Sequence, residues 1–369
     1  MSGFPVADPI PLPAPVWLMK LLSLLTLGLH FAAVMMLVGS LLLVVILNFR
    51  GRTAKNLDWV RASHVLAKRL PVVMTYVINL GVPPLLFLQV LYGRQIYSSS
   101  VLIGTIWIAV IPLLILAYWL LYKCIAQIEA SKAGWLTALI SLLVVMGIGQ
   151  IYAMNMTLML RPELWNEMYQ SSPVGLRGFS GDPTTTPRWM FVMAGGPMFG
   201  GLWAALLSNM VYLSDSVRTT LRRAGSVSAV TGAALMLFFG YRVISLQTPE
   251  VAAGIKAIPL VNLSMLLCGV TIALAGIVGV LQVKRTNVWL SSVGIVVGFL
   301  AAATSTIVRD GIRDVVLKAK GFDVNDVQVY PNWSVLVVFL LLFVIMLGVI
   351  YWLLQVMRQA TPPKEEVSL

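Results

Sequence analysis

Read for polarity alone, the chain alternates long apolar runs with short polar breaks. Nine runs stand out, at about 16–48, 71–93, 101–122, 135–157, 189–213, 226–247, 259–282, 287–307 and 335–357. A run of roughly 18 or more apolar residues is long enough to cross a bilayer as a helix. The pattern therefore predicts an all-α fold: a polytopic transmembrane helical bundle of about nine spans, forming one membrane domain over 16–357. Residues 1–15 form a proline-rich, extended lead-in without the basic start of a secretory signal. Residues 358–369 form a tail. Most connections are short, so consecutive helices should be antiparallel neighbours. Two are longer, 158–188 and 308–334, and the first should hold a short amphipathic helix near 162–170.

Composition supports this reading. The chain has 369 residues, 59% hydrophobic and 11% charged, with a mean hydropathy of +0.90. Soluble domains carry about 25% charged residues. The net charge of +12 could suggest nucleic acid, but its distribution points to topology. With the N-terminus outside and the C-terminus in the cytoplasm, the inner loops and tail hold 15 Lys/Arg and 5 Asp/Glu. The outer side holds 11 and 9. That is the positive-inside pattern, and its partner is the lipid bilayer, with no nucleic acid implied. Trp17, Trp135, Trp189, Trp289 and Trp333 fall near span ends, as an interfacial aromatic belt would. Cys124 and Cys268 are isolated. There is no CxxCH for covalent haem c, and no phosphate loop, HExxH or GxSxG motif.

One span contains its own disruption. In "NLGVPPLLFLQ" (79–89), Pro83 and Pro84 lack the amide donors that would bond the carbonyls of Asn79 and Leu80. Lipid cannot replace them. The kink is expected to face the bundle, with Asn79, Leu80 and Gln89 as candidates for a kink-lined site. A neighbouring polar side chain could equally satisfy it as plain structure.

No Asp or Glu lies mid-span, which argues against a carboxylate-gated pump. His30, in "LGLHFAAVMMLVG", lies in the middle of the first span. A buried neutral imidazole can ligate haem iron or hydrogen-bond a neighbouring helix. His64 lies too far towards the cytoplasm to share a haem with it. "MAGGPMFGGLW" (193–203) reads as a close helix–helix contact through small residues. In "VRDGIRDVVL" (308–317), Arg309 and Arg313 share a helical face. They can hold haem propionates or a partner's acidic patch, or pair locally with Asp310 and Asp314.

Together, "NLGVPPLLFLQVLYGRQIYSSSVLIG" (79–104), "TLMLRPELW" (157–165), "GDPTTTPRWM" (181–190), "VRDGIRDVVL" and "YPNWS" (330–334) resemble bacterial polytopic membrane proteins associated with, or fused to, c-type cytochromes. A fainter similarity is to subunit I of cytochrome bd-type quinol oxidases. It rests on nine spans, a histidine in the first, and a Pro-Arg loop before a glycine-rich fifth. That resemblance implies a bacterial inner-membrane location, His30 as a haem ligand and a quinol-facing outer surface. The chain departs from it at Trp189-Met190, where such proteins are expected to carry a histidine. The resulting expectation is an integral membrane subunit of a respiratory electron-transfer assembly. It would dock a c-type cytochrome partner, transfer electrons rather than catalyse, and have haem b or quinone as candidate cofactors. The alternatives are a transporter or channel built on kinked helices, and a ligand-free scaffold.

Overall fold

The computed structural model describes residues 10–359, apart from 173, 180, 285 and 286. Its helices are α1 (Val16–Thr53), α2 (Leu57–Ala67), α3 (Leu70–Leu91), α4 (Gly93–Leu102), α5 (Gly104–Ile108), α6 (Val110–Glu129) and α7 (Trp135–Leu158). They continue with α8 (Trp165–Ser171), α9 (Thr185–Met210), α10 (Asp215–Ser245), α11 (Pro249–Ala257), α12 (Pro259–Gln282), α13 (Val288–Ala319) and α14 (Trp333–Gln359). Eight stretches of the described residues are long and apolar enough to cross a bilayer: α1, α2–α3, α5–α6, α7, α9, α10, α12 and α13. The ninth expected span coincides with α14, whose Val335, Leu341 and Val344 are exposed. Polytopic helical architecture is therefore the observed fold.

The differences from expectation lie at helix ends. Segments 49–70 and 214–225, expected as loops, are largely helical, because their charged residues can extend a helix beyond the apolar slab, and the helical face expected for Arg309 and Arg313 belongs to a continuation of the eighth span. α13 runs 32 residues, roughly 48 Å. It stops where Gly321 takes φ +82°. There Phe322 N–H bonds Leu317 O (2.9 Å) and Gly321 N–H bonds Lys318 O (3.0 Å), the paired bonds of a Schellman cap. The amphipathic helix expected near 162–170 is present as a 3-10 turn, Pro162–Leu164, leading into α8.

α9 is the most buried span and forms the centre of the bundle. A Cβ on Gly200 would stand 2.5 Å from the Gly39 carbonyl carbon, and one on Gly225 would stand 2.6 Å from Gly201 O. Only glycine lets α1, α9 and α10 approach so closely. "MAGGPMFGGLW" is thus a packing seam. Ser228 donates to the Pro197 carbonyl (2.9 Å), and Met35 and Met198 are fully buried beside it.

Two further contacts order the ends. At the inner end, Asn48 accepts from the Gly134 and Trp135 amides (3.1 Å each) and donates to Ser63 (3.2 Å), tying α1 to α2 and α7. At the outer end, the lead-in pairs with the loop before α14. Leu12 N–H bonds Gln328 O (2.8 Å), and Tyr330 N–H bonds Leu12 O (2.9 Å). Eight crossings between these segments place both on one side, as that pairing requires.

Candidate functional site at the outer end of the bundle

Three contacts fix the heights of the helices. Gly28 of α1 packs on Ala303 of α13, and Lys20 of α1 reaches Asp310 and Asp314. α1 and α13 are therefore antiparallel. Gly39 and Met35 of α1 meet Gly196, Gly200 and Gly195 of α9, so residue n of α1 lies level with about n+160 of α9. His30 then lies about ten residues, roughly 15 Å, below Lys20. The matching level of α9 is Trp189-Met190.

His30 meets α3 at Gly81. A Cβ there would stand 2.9 Å from the imidazole Cε1 and 3.0 Å from Nδ1. The ring approaches because residue 81 has no side chain. Its Nδ1 lies 3.0 Å from the Val77 carbonyl. A carbonyl only accepts, so Nδ1 carries the proton and Nε2 keeps its lone pair. No other described residue hydrogen-bonds Nε2. This is the arrangement by which proteins orient a metal-ligating imidazole.

The double proline behaves differently from expectation. α3 stays helical through Pro83 and Pro84, so there is no unwound segment of the kind that motivates a transporter reading. The external donor goes to Val77 O rather than to Asn79 or Leu80. The buried face of α3 runs through Val73, Val77, Pro84, Leu88 and Leu91, while Leu80 and Gln89 are half-buried and Asn79 is exposed. Asn79 and Gln89 thus do not join His30 in one site.

Above His30 lies a compact charge cluster. Arg313 pairs with Asp310, which also receives Lys20 at 3.2 Å. Asp314 takes Lys20 and a 2.6 Å bond from the Tyr92 hydroxyl. The Arg313 guanidinium lies over the Tyr92 ring, 4.3 Å from its centre. Burial pushes the Tyr92 phenol well up, so it remains a donor. Local pairing of Arg313 with Asp310 is observed, whereas Asp314 is claimed by Lys20 and Tyr92. Arg309 lies within electrostatic reach of His30, Arg313, Arg188 and the Asp310 carboxylate. Arg188 donates to Thr184 Oγ1 (2.9 Å) near Asp182. Asp182 pairs with Arg161 (3.2 Å), and Glu163 takes Lys320 (2.7 Å) and Arg161 (3.4 Å). Although burial opposes it, Lys320 and Arg161 hold the Glu163 carboxyl below its usual range.

The cluster brings six cations (Lys20, Arg161, Arg188, Arg309, Arg313, Lys320) against four acids (Glu163, Asp182, Asp310, Asp314). The count leaves an excess of two positive charges; among the described residues Arg188 and Arg309 form no salt bridge, though Asp182 and Asp310 lie within their electrostatic reach, and Arg309 acts on the imidazole. Lys20, Tyr92 and Arg188 were not anticipated as site residues. A lone lysine inside the first apolar run was the available signal for Lys20. Arg188 was visible only as the arginine of the Pro-Arg loop that carries the resemblance, and nothing in sequence marks Tyr92. Trp189, expected in the interfacial belt, donates to Met146 O (3.0 Å) and fastens α9 to α7. Trp17, Trp289 and Trp333 are exposed, as belt residues are.

These features define a multi-pass helical membrane protein with a cation-rich outer site and one held imidazole. No protein-family model and no curated protein matches the chain. Among solved structures, one title reads "The structure of bd oxidase from Geobacillus thermodenitrificans". A chain of that structure matches with a TM-score of 0.63 at 11% identity, over 95% of this chain and 100% of that one. The likeness to bd-type oxidases holds at the level of the fold.

Proposed function

We propose that the protein is an integral membrane subunit of a respiratory electron-transfer assembly, in a bacterial cytoplasmic membrane. It binds one b-type haem through His30 and docks a c-type cytochrome at its outer face. The observation that carries this reading is the oriented imidazole within electrostatic reach of Arg309, with Arg309 and its neighbour Arg188 in no salt bridge among the described residues. His30 Nε2 would take the iron, and Arg188 and Arg309 would hold the propionates by charge-assisted hydrogen bonds. The group would supply a one-electron carrier at mid-membrane depth. The chain's own part is to fix the imidazole tautomer through Val77, to offset propionate charge, and to exclude water with the packed α1–α9 seam. The level of α9 opposite His30 carries Trp189 and Met190, so the residues fit a single-imidazole haem and not an oxidase centre. The bd oxidase fold supports the reading at the level of a respiratory membrane subunit.

The test is purification of the tagged chain from native membranes in mild detergent. A haem-stained c-type cytochrome should co-purify in fixed ratio. Isolation of the chain alone, free of haem, would sink the reading. Of the alternatives, the transporter reading loses its unwound segment in α3.

A further inference from the structure

At its inner end α10 opens with "DSVRTTLRR" (215–223), three arginines against one aspartate. Arg218 takes that aspartate: its Nη1 lies 3.3 Å from Asp215 Oδ1, and its Nη2 donates to Leu213 O (3.5 Å). Arg222 follows one turn later on the same face. Two like charges then stand at i, i+4, a spacing that is unfavourable by itself.

Arg222 is the oddity. It is only 9% exposed, whereas Arg223 beside it is exposed. An arginine that snorkels buries its stem and leaves its head in water. Here even Nε is enclosed, without a hydrogen-bond partner, and no described residue forms an ion pair with the guanidinium. Of the other acids described at this end, Glu129 meets His64 (3.2 Å) and Asp58 opens α2. An enclosed guanidinium with five donors is costly unless an anion meets it. Depth points to the kind of anion. The apolar run of α10 begins at about 226, so Arg222 lies four residues, roughly 6 Å, outside the hydrocarbon. The headgroup layer on each side of a bilayer is roughly 5–7 Å deep. Below it, Arg223, Val227, Thr231, Ala234 and Phe238 follow one another at helical spacing, and all are exposed.

We infer that Arg222 clamps the phosphate of an anionic phospholipid in the leaflet facing the basic loops. Its planar fork matches two phosphate oxygens. Arg223 adds charge at the rim, and an acyl chain runs along Val227, Ala234 and Phe238. The surplus of two positive charges over 215–223 repels the ammonium of a zwitterionic headgroup, so the site selects a net negative one such as phosphatidylglycerol. The inference does not rest on the respiratory reading.

The test is native mass spectrometry of the full chain in mild detergent, titrated with phosphatidylglycerol and, separately, phosphatidylcholine. Saturable binding is expected, roughly 10-fold tighter for phosphatidylglycerol. Arg222→Gln should lower that affinity roughly 10-fold, the range of a lost charge-assisted hydrogen bond, and leave phosphatidylcholine unchanged. Arg222→Lys, which keeps the charge without the fork, should fall between. Lys256→Gln, exposed at the other end of the bundle, should bind as the parent does. In lipid-free detergent Arg222→Gln should match or exceed the parent's thermal midpoint, because it removes an unpaired enclosed charge. If it does not fold, the exposed Arg223→Gln serves as a second probe, with a loss of roughly 3-fold. Equal affinity of the parent for both lipids would overturn the inference. So would a lowered lipid-free midpoint in Arg222→Gln with its lipid affinity intact, since the protein itself would then satisfy Arg222. Full displacement of the lipid by millimolar inorganic phosphate would overturn it too, because the site would then hold a soluble anion.

Discussion

Gly39, Gly196 and Gly200 face one another across α1 and α9, backbone to backbone, whereas Gly81 faces the His30 ring. The sequence treats all four as small residues within apolar runs. At the seam, the missing side chain is replaced by a neighbouring main chain, which leaves no room for a ligand. At Gly81 it is replaced by a side chain whose outer nitrogen has no partner among the described residues. The difference separates a packing device from a binding one. A small residue indicates a site only when what approaches it still has chemistry to spare. The charges follow the same rule: Asp310 and Arg313 pair, while Arg188 and Arg309 form no salt bridge among the described residues.

The comparison can be broken in order of expected effect. Asp310→Ala strips the shared partner from Lys20 and Arg313. Removing one member of a buried ion pair costs about 3–5 kcal/mol, so it should be the most destabilising change by thermal unfolding in detergent. An unchanged midpoint would mean that the cluster is solvated rather than closed. Next, Gly200→Ala places a methyl against the α1 backbone, which cannot move as a flexible side chain would. Overpacking of this kind costs about 1–3 kcal/mol. Gly81→Ala, by contrast, meets only an imidazole, and alanine's helix preference of ~1 kcal/mol over glycine offsets the contact. Its midpoint should stay within ~1 kcal/mol of the parent. Equal losses at Gly81 and Gly200 would erase the distinction between seam and site.

The smallest effect concerns Asp323, beyond the membrane. The Asn325 amide and then Lys318 hold its carboxyl down at about 2, from an ordinary 3.8. A lowered folded-state value contributes stability that is full above pH ~4 and is lost as pH falls towards ~2. Its partner Lys318 is largely exposed to solvent, so Asp323→Asn should cost under ~1 kcal/mol at neutral pH. Parent and variant should converge near pH 2, as pH-dependent unfolding would show.

Much of the fold was legible because hydrocarbon imposes a simple grammar. Nine apolar runs, short breaks and inner-side basic loops led to the helical bundle, and "MAGGPMFGGLW" was readable as its seam. Helix ends were less legible, since nothing in "SVRTTLRRAG" or "VRDGIRDVVL" marks where lipid stops but helix continues. The site was legible only in pieces. His30, Arg309 and Arg313 announce themselves as polar groups in or beside apolar runs. Lys20, Tyr92 and Arg188 join them through tertiary contacts more than 100 residues apart in the chain, which no local pattern encodes. The double proline drew attention to α3, but the contact there belongs to Gly81 and Val77, one turn earlier. Asn79 faces the opposite side.

The most direct measurement is a reduced-minus-oxidised absorbance spectrum of the purified protein and of His30→Ala at matched amounts. If Nε2 of His30 is an iron ligand, the parent should show b-type Soret and alpha bands. His30→Ala should lose them while retaining the parent's elution profile. Haem bands of equal strength in both proteins, or none in the parent purified from haem-replete cells, would contradict the assignment.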